Sequence, residues 1–160
     1  GCFHPVGGSK GMDEILKAPA IVISEGYATA ASLTQELGFA TVAAFDAGNL
    51  IHVTGAFREK YPDKPIIVAG DDDQHLKTNP GRAKAEAAAK KAGGLAVFPV
   101  FAPEEKGWEF KDFNDLATHS KLGAAAVKRQ VLPVLEKAIA MHQTRTQHTQ
   151  SRTEEQGVTR

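Results

Sequence analysis

Apolar residues occur along this chain in short unbroken runs, separated by longer stretches in which they recur every three or four positions. "AIVIS" (20–24), "ATVAAF" (40–45), "PIIVAG" (65–70) and "LAVFPVF" (95–101) are runs of the first kind. Runs this short, without polar alternation, predict strands buried on both faces. Between them, "ATAASLTQEL" (28–37), "NLIHVTGAFREKY" (49–61) and "GRAKAEAAAKKA" (81–92) predict helices. The boundaries are marked as well. Gly38 stops the first helix, Asn79 stands as N-cap of the third with Pro80 at its first position, and Gly93 and Gly94 close it. Strands separated by helices of this length require right-handed crossovers, so the fold class is α/β: a mainly parallel sheet with helices on both faces.

The flanks are patterned differently. Residues 1–19 are rich in glycine and proline, hold no sustained period, and read as a lead-in from upstream sequence. Residues 20–142 form one domain, in which a loop at 102–115 leads to a last helix in "AAAVKRQVLPVLEKAIAMH" (124–142), with a kink or break expected at Pro133. Residues 143–160 are mostly Thr, Gln and Arg with almost nothing apolar, and are expected to be a disordered tail or linker.

Composition narrows the functional classes. Lys plus Arg and Asp plus Glu number 19 each, so the chain lacks the overall basic excess of a domain that grips nucleic acid unaided. Any such contact must be local. No apolar run approaches the ~20 residues needed to cross a bilayer, so no membrane association is expected. Cys2 is the single cysteine and cannot close an internal disulfide. With no charged-then-apolar signal at the start, a reducing, cytoplasmic setting is expected.

In parallel α/β sheets ligands bind beyond the carboxyl ends of the strands. Here those ends are acidic. The first run ends in "SEGYATA", with Glu25 at its tip and Gly26 supplying freedom for a sharp turn; the third ends in Asp71, Asp72 and Asp73. If the first and third strands are neighbours, Glu25 and the aspartates share one crevice, and carboxylates crowded in this way need a cation. Alternation along an extended segment sends Asp71 and Asp73 to one side and Asp72 to the other. The outer pair are therefore the expected metal ligands, and Asp72 is expected in a solvated turn or as an N-cap. Oxygen donors without cysteine or paired histidines suit Mg²⁺ or Mn²⁺, and a Mg²⁺ site commonly takes substrate phosphates as further ligands. Lys77 and Arg82, at the predicted helix start, could meet such a phosphate, although isolated basic residues are more often plain surface. His75 is expected in solvent. "KDFNDL" (111–116), with Asp112, Asn114 and Asp115, is either a second acidic loop of the site or a helix cap before Leu116.

Neither G-x-G-x-x-G nor G-x-x-x-x-G-K-[ST] is present, which removes support for dinucleotide and P-loop ATP binding. A receiver-type phosphoacceptor domain would carry its acidic pair on the first strand, the reverse of the arrangement here. Taken together and in order, "ISEGYATAASL", "AAFDAGNL", "IIVAGDDD" with "NPGRAKAEAAAKKAGG", and "KDFNDL" resemble the Toprim domain of plasmid- and phage-type DNA primases, especially those of conjugative plasmids. The likeness covers about residues 20–141. It implies a Rossmann-like sheet, Glu25 as general acid or base in nucleotidyl transfer, and Asp71 and Asp73 as Mg²⁺ ligands. By the same likeness Gly26 is the family's turn glycine, Asn49 belongs to its "GNL" element, and Asp112 and Asp115 to its later acidic loop. Primases of this kind carry a zinc-binding module and further catalytic-core sequence ahead of the Toprim segment, and residues 1–19 hold neither.

Two functions are compatible with these features. One is the catalytic domain of a primase that joins ribonucleoside triphosphates on a single-stranded DNA template with Mg²⁺, together with other domains of the same enzyme. The other is a module of a conjugative-transfer protein that binds metal and nucleic acid without turnover. Retention of Glu25, Asp71 and Asp73, which repel one another, favours the first; the neutral net charge keeps the second open.

Overall fold

The four apolar runs lie side by side. The computed structural model describes residues 1–7 and 10–157. Its elements in chain order are β1 (His4–Val6), α1 (Met12–Lys17), β2 (Ile21–Ser24), α2 (Tyr27–Leu37), β3 (Thr41–Ala43), α3 (Leu50–Lys60), β4 (Ile66–Ala69), α4 (Pro80–Lys91), β5 (Leu95–Val97), a 3-10 turn (Pro103–Glu105), α5 (Phe113–Thr118) and α6 (Ala125–Gly157). They build a five-stranded sheet of order β1-β3-β2-β4-β5. β2 pairs in parallel with both β3 and β4, β4 pairs in parallel with β5, and β1 adds antiparallel to β3. The α/β expectation holds, and the first and third predicted strands are neighbours.

Strand alternation sorts the apolar side chains into two cores. Ile21, Ile23, Val42, Ile66 and Val68 pack against Leu50, Val53 and Phe57 of α3 and the alanines Ala85, Ala88 and Ala89 of α4. Val22, Ile67, Ala69 and Val97 face the other way, onto Leu33 of α2, Phe113 and Leu116 of α5, and Val127, Val131 and Leu135 of α6. The alanine-rich face of α4 lets that helix come close to the sheet. At Gly70 a Cβ would lie 2.4 Å from the Ala85 Cβ, so only glycine fits where β4 hands over to the aspartates.

Four features depart from the sequence reading. Residues 1–19 supply β1 and α1, and Ile15 of α1 is fully buried in the first core. A three-residue edge strand and a helix with one buried side chain leave too little periodicity to detect. β5 stops at Val97, short of residue 101, because Pro99 has no N–H to continue a ladder. The Gln130 side-chain amide takes over at Val100, accepting from its N–H and donating to its carbonyl, each at 2.8 Å. Pro133 does not break α6, since Val127 and Val131 before it and Leu135 and Ala138 after it are buried on the same sheet face. That burial offsets the missing backbone bond. Finally, residues 143–157, expected to be a disordered tail or linker, continue α6 as far as Gly157; residues 158–160 lie outside the described residues. Among the described residues no helix is long and apolar enough to cross a membrane.

Candidate active site at the strand tips

The register Ser24↔Ala69 aligns the ends of β2 and β4, so Glu25 and Asp71 leave the sheet side by side. Asp71 is only 5% exposed. Its Oδ2 lies 3.2 Å from the Lys111 ammonium, while its Oδ1 is buried with no hydrogen-bond partner. Burial, reinforced by the neighbouring Glu25 charge and only partly opposed by Lys111, pushes the Asp71 carboxyl up to about 6. Glu25 is half-buried and also raised, first by loss of water and then by Asp73; Lys111, Lys84 and the Ala47 N–H pull the other way. These mutual effects put Glu25, Asp71, Asp73 and Lys111 in one electrostatic cluster.

The other two aspartates hold α4 in place. Asp72 Oδ1 accepts from Arg82 Nε at 2.9 Å and Asn79 Nδ2 at 2.5 Å. Burial acts against its charge, but these donors outweigh it and hold the carboxyl below its ordinary value. Asp72 is thus 5% exposed and ion-paired, not part of a solvated turn. Asp73 accepts at Oδ2 from the Gly81 N–H and donates its own N–H to Asn79 Oδ1, both at 3.0 Å. Asn79 caps α4 as expected, accepting also from the Arg82 N–H. A Cβ on Gly81 would stand 2.8 Å from Asp73 Oδ2 and 3.0 Å from the Asp71 carbonyl, so glycine lets the helix start press against the aspartate backbone. Asp72→Asn, which removes the charged acceptor of Arg82, is expected to destabilise the fold by about 2 kcal/mol. Thermal melting checks this, and an unchanged midpoint would show that the pair contributes nothing.

"KDFNDL" forms a helix cap that also positions a side chain of the cluster. Asp112 Oδ1 accepts from the Asp115 N–H at 2.8 Å, and Asp115 Oδ2 accepts from the N–H groups of Lys111 at 2.9 Å and Asp112 at 3.4 Å. Asp112 Oδ2 also takes the Thr29 hydroxyl at 2.9 Å, tying α5 to α2. The Lys111 carbonyl accepts from the Asp72 N–H at 2.7 Å. Lys111 is therefore clamped at both backbone groups beside the carboxylates. It was not singled out in the sequence, where its one signal is its place just ahead of the Asp112 cap.

The remaining candidates fall elsewhere. Asn49 Nδ2 donates to the carbonyls of Cys2 and Ala44, each at 2.6 Å, fastening the chain before β1 to the end of β3. Arg82 donates its Nε to Asp72, reaches Glu86 at 3.7 Å, and lies over the Phe98 ring at 4.0 Å, so its first role is to anchor the aspartate run. Lys77 and His75 are exposed in the loop before α4. Gly26 has φ −92° and ψ 154°, ordinary extended backbone, so the turn does not require glycine there. Among the described residues the non-glycine with positive φ is Phe45, at 71° at the exit of β3.

Among the described residues no group of three or more His, Cys, Asp or Glu side chains is disposed to hold a metal ion. The fit to a hard cation rests on Asp71 instead: a buried carboxyl oxygen without a donor, with Glu25 and Asp73 as further oxygen groups in the cluster. One or two protein carboxylates suffice for Mg²⁺, which keeps several waters.

Residues 20–121 match the Toprim domain family. Two curated relatives from Escherichia coli, each named DNA primase TraC, are similar to the chain. One is 62% identical over 109 residues, 66% of this chain and 7% of that primase; the other is 56% identical over 112 residues, 68% of this chain and 10% of that primase. The chain thus spans a tenth or less of the curated relatives it matches. No solved structure matches it. The family match begins just before β2 and ends just past α5, taking in both acidic strand tips and the cap that sets Lys111. On that match the chain belongs to the Toprim domain family.

Proposed function

We propose that this is the catalytic Toprim domain of a DNA primase that makes RNA primers on single-stranded DNA by Mg²⁺-dependent nucleotidyl transfer. The observation that carries the reading is the buried, half-satisfied carboxyl of Asp71 beside the half-buried Glu25 at adjacent strand tips. Asp71, with Asp73, would hold Mg²⁺ or Mn²⁺. Such an ion neutralises charge that develops on a phosphoryl group and lowers the pKa of a coordinated hydroxyl. Glu25, with its proton held more tightly than usual, is suited to take a proton from an attacking hydroxyl or return one to a leaving group. Asp72, Asn79 and Arg82 keep the aspartate backbone rigid against α4 while this happens.

Contact with the template is local, as the neutral net charge requires. Trp108 is 55% exposed and meets Phe110 edge-on at 5.2 Å between centroids, just ahead of Lys111. The exposed Trp108 ring, three residues ahead of Lys111 in the chain, offers a stacking surface for a base, and stacking needs no basic excess. Similarity to the TraC primases supports the substrates in general, single-stranded DNA and nucleoside triphosphates; the cytoplasmic, plasmid-linked setting in conjugation or replication follows from the motif resemblance alone.

The test is primer synthesis from labelled ribonucleotides on single-stranded DNA, by this chain and by a full primase that carries it. Mg²⁺-dependent products from either support the reading. If only the full primase is active, the domain supplies the acidic site and other domains complete the active centre. If neither makes primers while the chain still binds Mn²⁺ and single-stranded DNA, the non-catalytic module replaces it.

A further inference from the structure

The Lys111 ammonium reaches the same carboxylate that the metal would use, and it does so from a backbone hydrogen-bonded at both its N–H and its carbonyl. Its Nζ lies 3.2 Å from Asp71 Oδ2, its carbonyl is held by Asp72 and its N–H by Asp115. Asp71 is almost fully buried, so its charge requires a counter-ion, yet Lys111 satisfies one oxygen and leaves Oδ1 without a donor. The lysine side chain itself is 45% exposed, which leaves it an open route to water. A lysine carries a compact charge on a flexible stem and forms no bidentate fork, so it can leave a carboxylate by rotating its side chain alone.

From this geometry we infer that Lys111 is an internal cation that neutralises the acidic crevice while no divalent ion is bound and must withdraw from Asp71 for one to enter. The inference rests on the metal-binding reading above. A divalent ion at Asp71 and an ammonium on the same carboxylate repel each other strongly at such range. Metal affinity is therefore set partly by the strength of the Lys111–Asp71 pair, and the released ammonium ends beside the site, within reach of a substrate phosphate.

Two measurements on the whole chain test it. Mn²⁺ affinity, read by EPR of the free ion, is expected to tighten by about 3- to 10-fold in Lys111→Met and to weaken in Lys111→Arg, whose forked guanidinium grips a carboxylate harder. In the unaltered protein, ¹³C-methylated lysines are followed by NMR during Mg²⁺ titration, the Lys111 signal being identified by its absence from Lys111→Met. That signal is expected to move to a solvent-exposed position as the site fills. Affinity that is unchanged or weaker in a folded Lys111→Met, or a Lys111 signal that stays fixed at saturating Mg²⁺, overturns the inference. The NMR arm stands even if Lys111→Met fails to fold, since Lys111→Arg can identify the signal instead. If the unaltered chain and Asp71→Asn show no Mn²⁺ binding, the metal reading itself fails, and the two failures are distinct.

Discussion

Glu25→Gln, placed in a full primase that carries this domain, is expected to lower primer synthesis by about 10²- to 10⁴-fold, the range for loss of a general acid or base. The substitution keeps shape and hydrogen-bonding reach and removes only the titratable proton. The fold should be undisturbed, because Glu25 sits beyond the end of β2 and takes no part in either core. Mn²⁺ affinity should fall modestly, since Glu25 adds negative charge near Asp71 without being its main partner. The contrast between the two readouts carries the assignment. Loss of metal binding as complete as that of Asp71→Asn would make Glu25 a ligand first, and undiminished synthesis would remove it from the chemistry.

Asp71→Asn is expected to have opposite effects on binding and on stability. Metal binding should fall below detection, because the one buried carboxyl with an unfilled oxygen among the described residues is gone. Without metal, the variant should melt higher than the unaltered chain at pH 7 and above. The sign follows from linkage: burial pushes the folded carboxyl up to about 6 from an ordinary 3.8, so its proton is held more tightly in the folded state. Its ionised form therefore costs stability, a cost absent below 3.8 that develops as pH rises and is complete above about 6. The melting difference between variant and parent should accordingly be largest above pH 6 and shrink toward zero near pH 4. Differential scanning fluorimetry across that range decides it. A variant that melts lower at pH 7.5 would mean that the Lys111 pair outweighs burial. The same substitution chemistry at Asp72 is expected to destabilise, because Arg82 and Asn79 already compensate that carboxylate.

Much of the architecture was readable along the chain because it depends on neighbours in sequence. The apolar runs became β2 to β5, and the Asn79-Pro80 start and the Gly93 stop of α4 stand where the pattern set them. β1 and α1 were not legible, since their order comes from pairing with β3 and from burial of the single side chain Ile15. The end of β5 was misplaced for a local reason that composition hides: apolar character continues to residue 101, but the N–H that a ladder needs is missing at Pro99.

In the site the division is sharper. The sequence placed Glu25 and Asp71 at strand tips on one edge of a parallel sheet, where they would meet if the first and third strands were neighbours, and the order β3-β2-β4 meets that condition. The sequence also determined that oxygen donors, not sulfur or imidazole, would be on offer there. Only the tertiary structure decided what each aspartate does. Alternation separates Asp72 from Asp71 and Asp73 by direction, but it says nothing of the partners waiting on each side. Arg82 and Asn79, brought back by the start of α4, turn Asp72 into an anchor, and the Gly81 N–H engages Asp73. Lys111, delivered from the far end of the domain by the α5 cap, leaves Asp71 half-neutralised. A carboxylate's charge state depends on the water it loses and the donors it gains, and both are set by segments distant in sequence that only folding brings together.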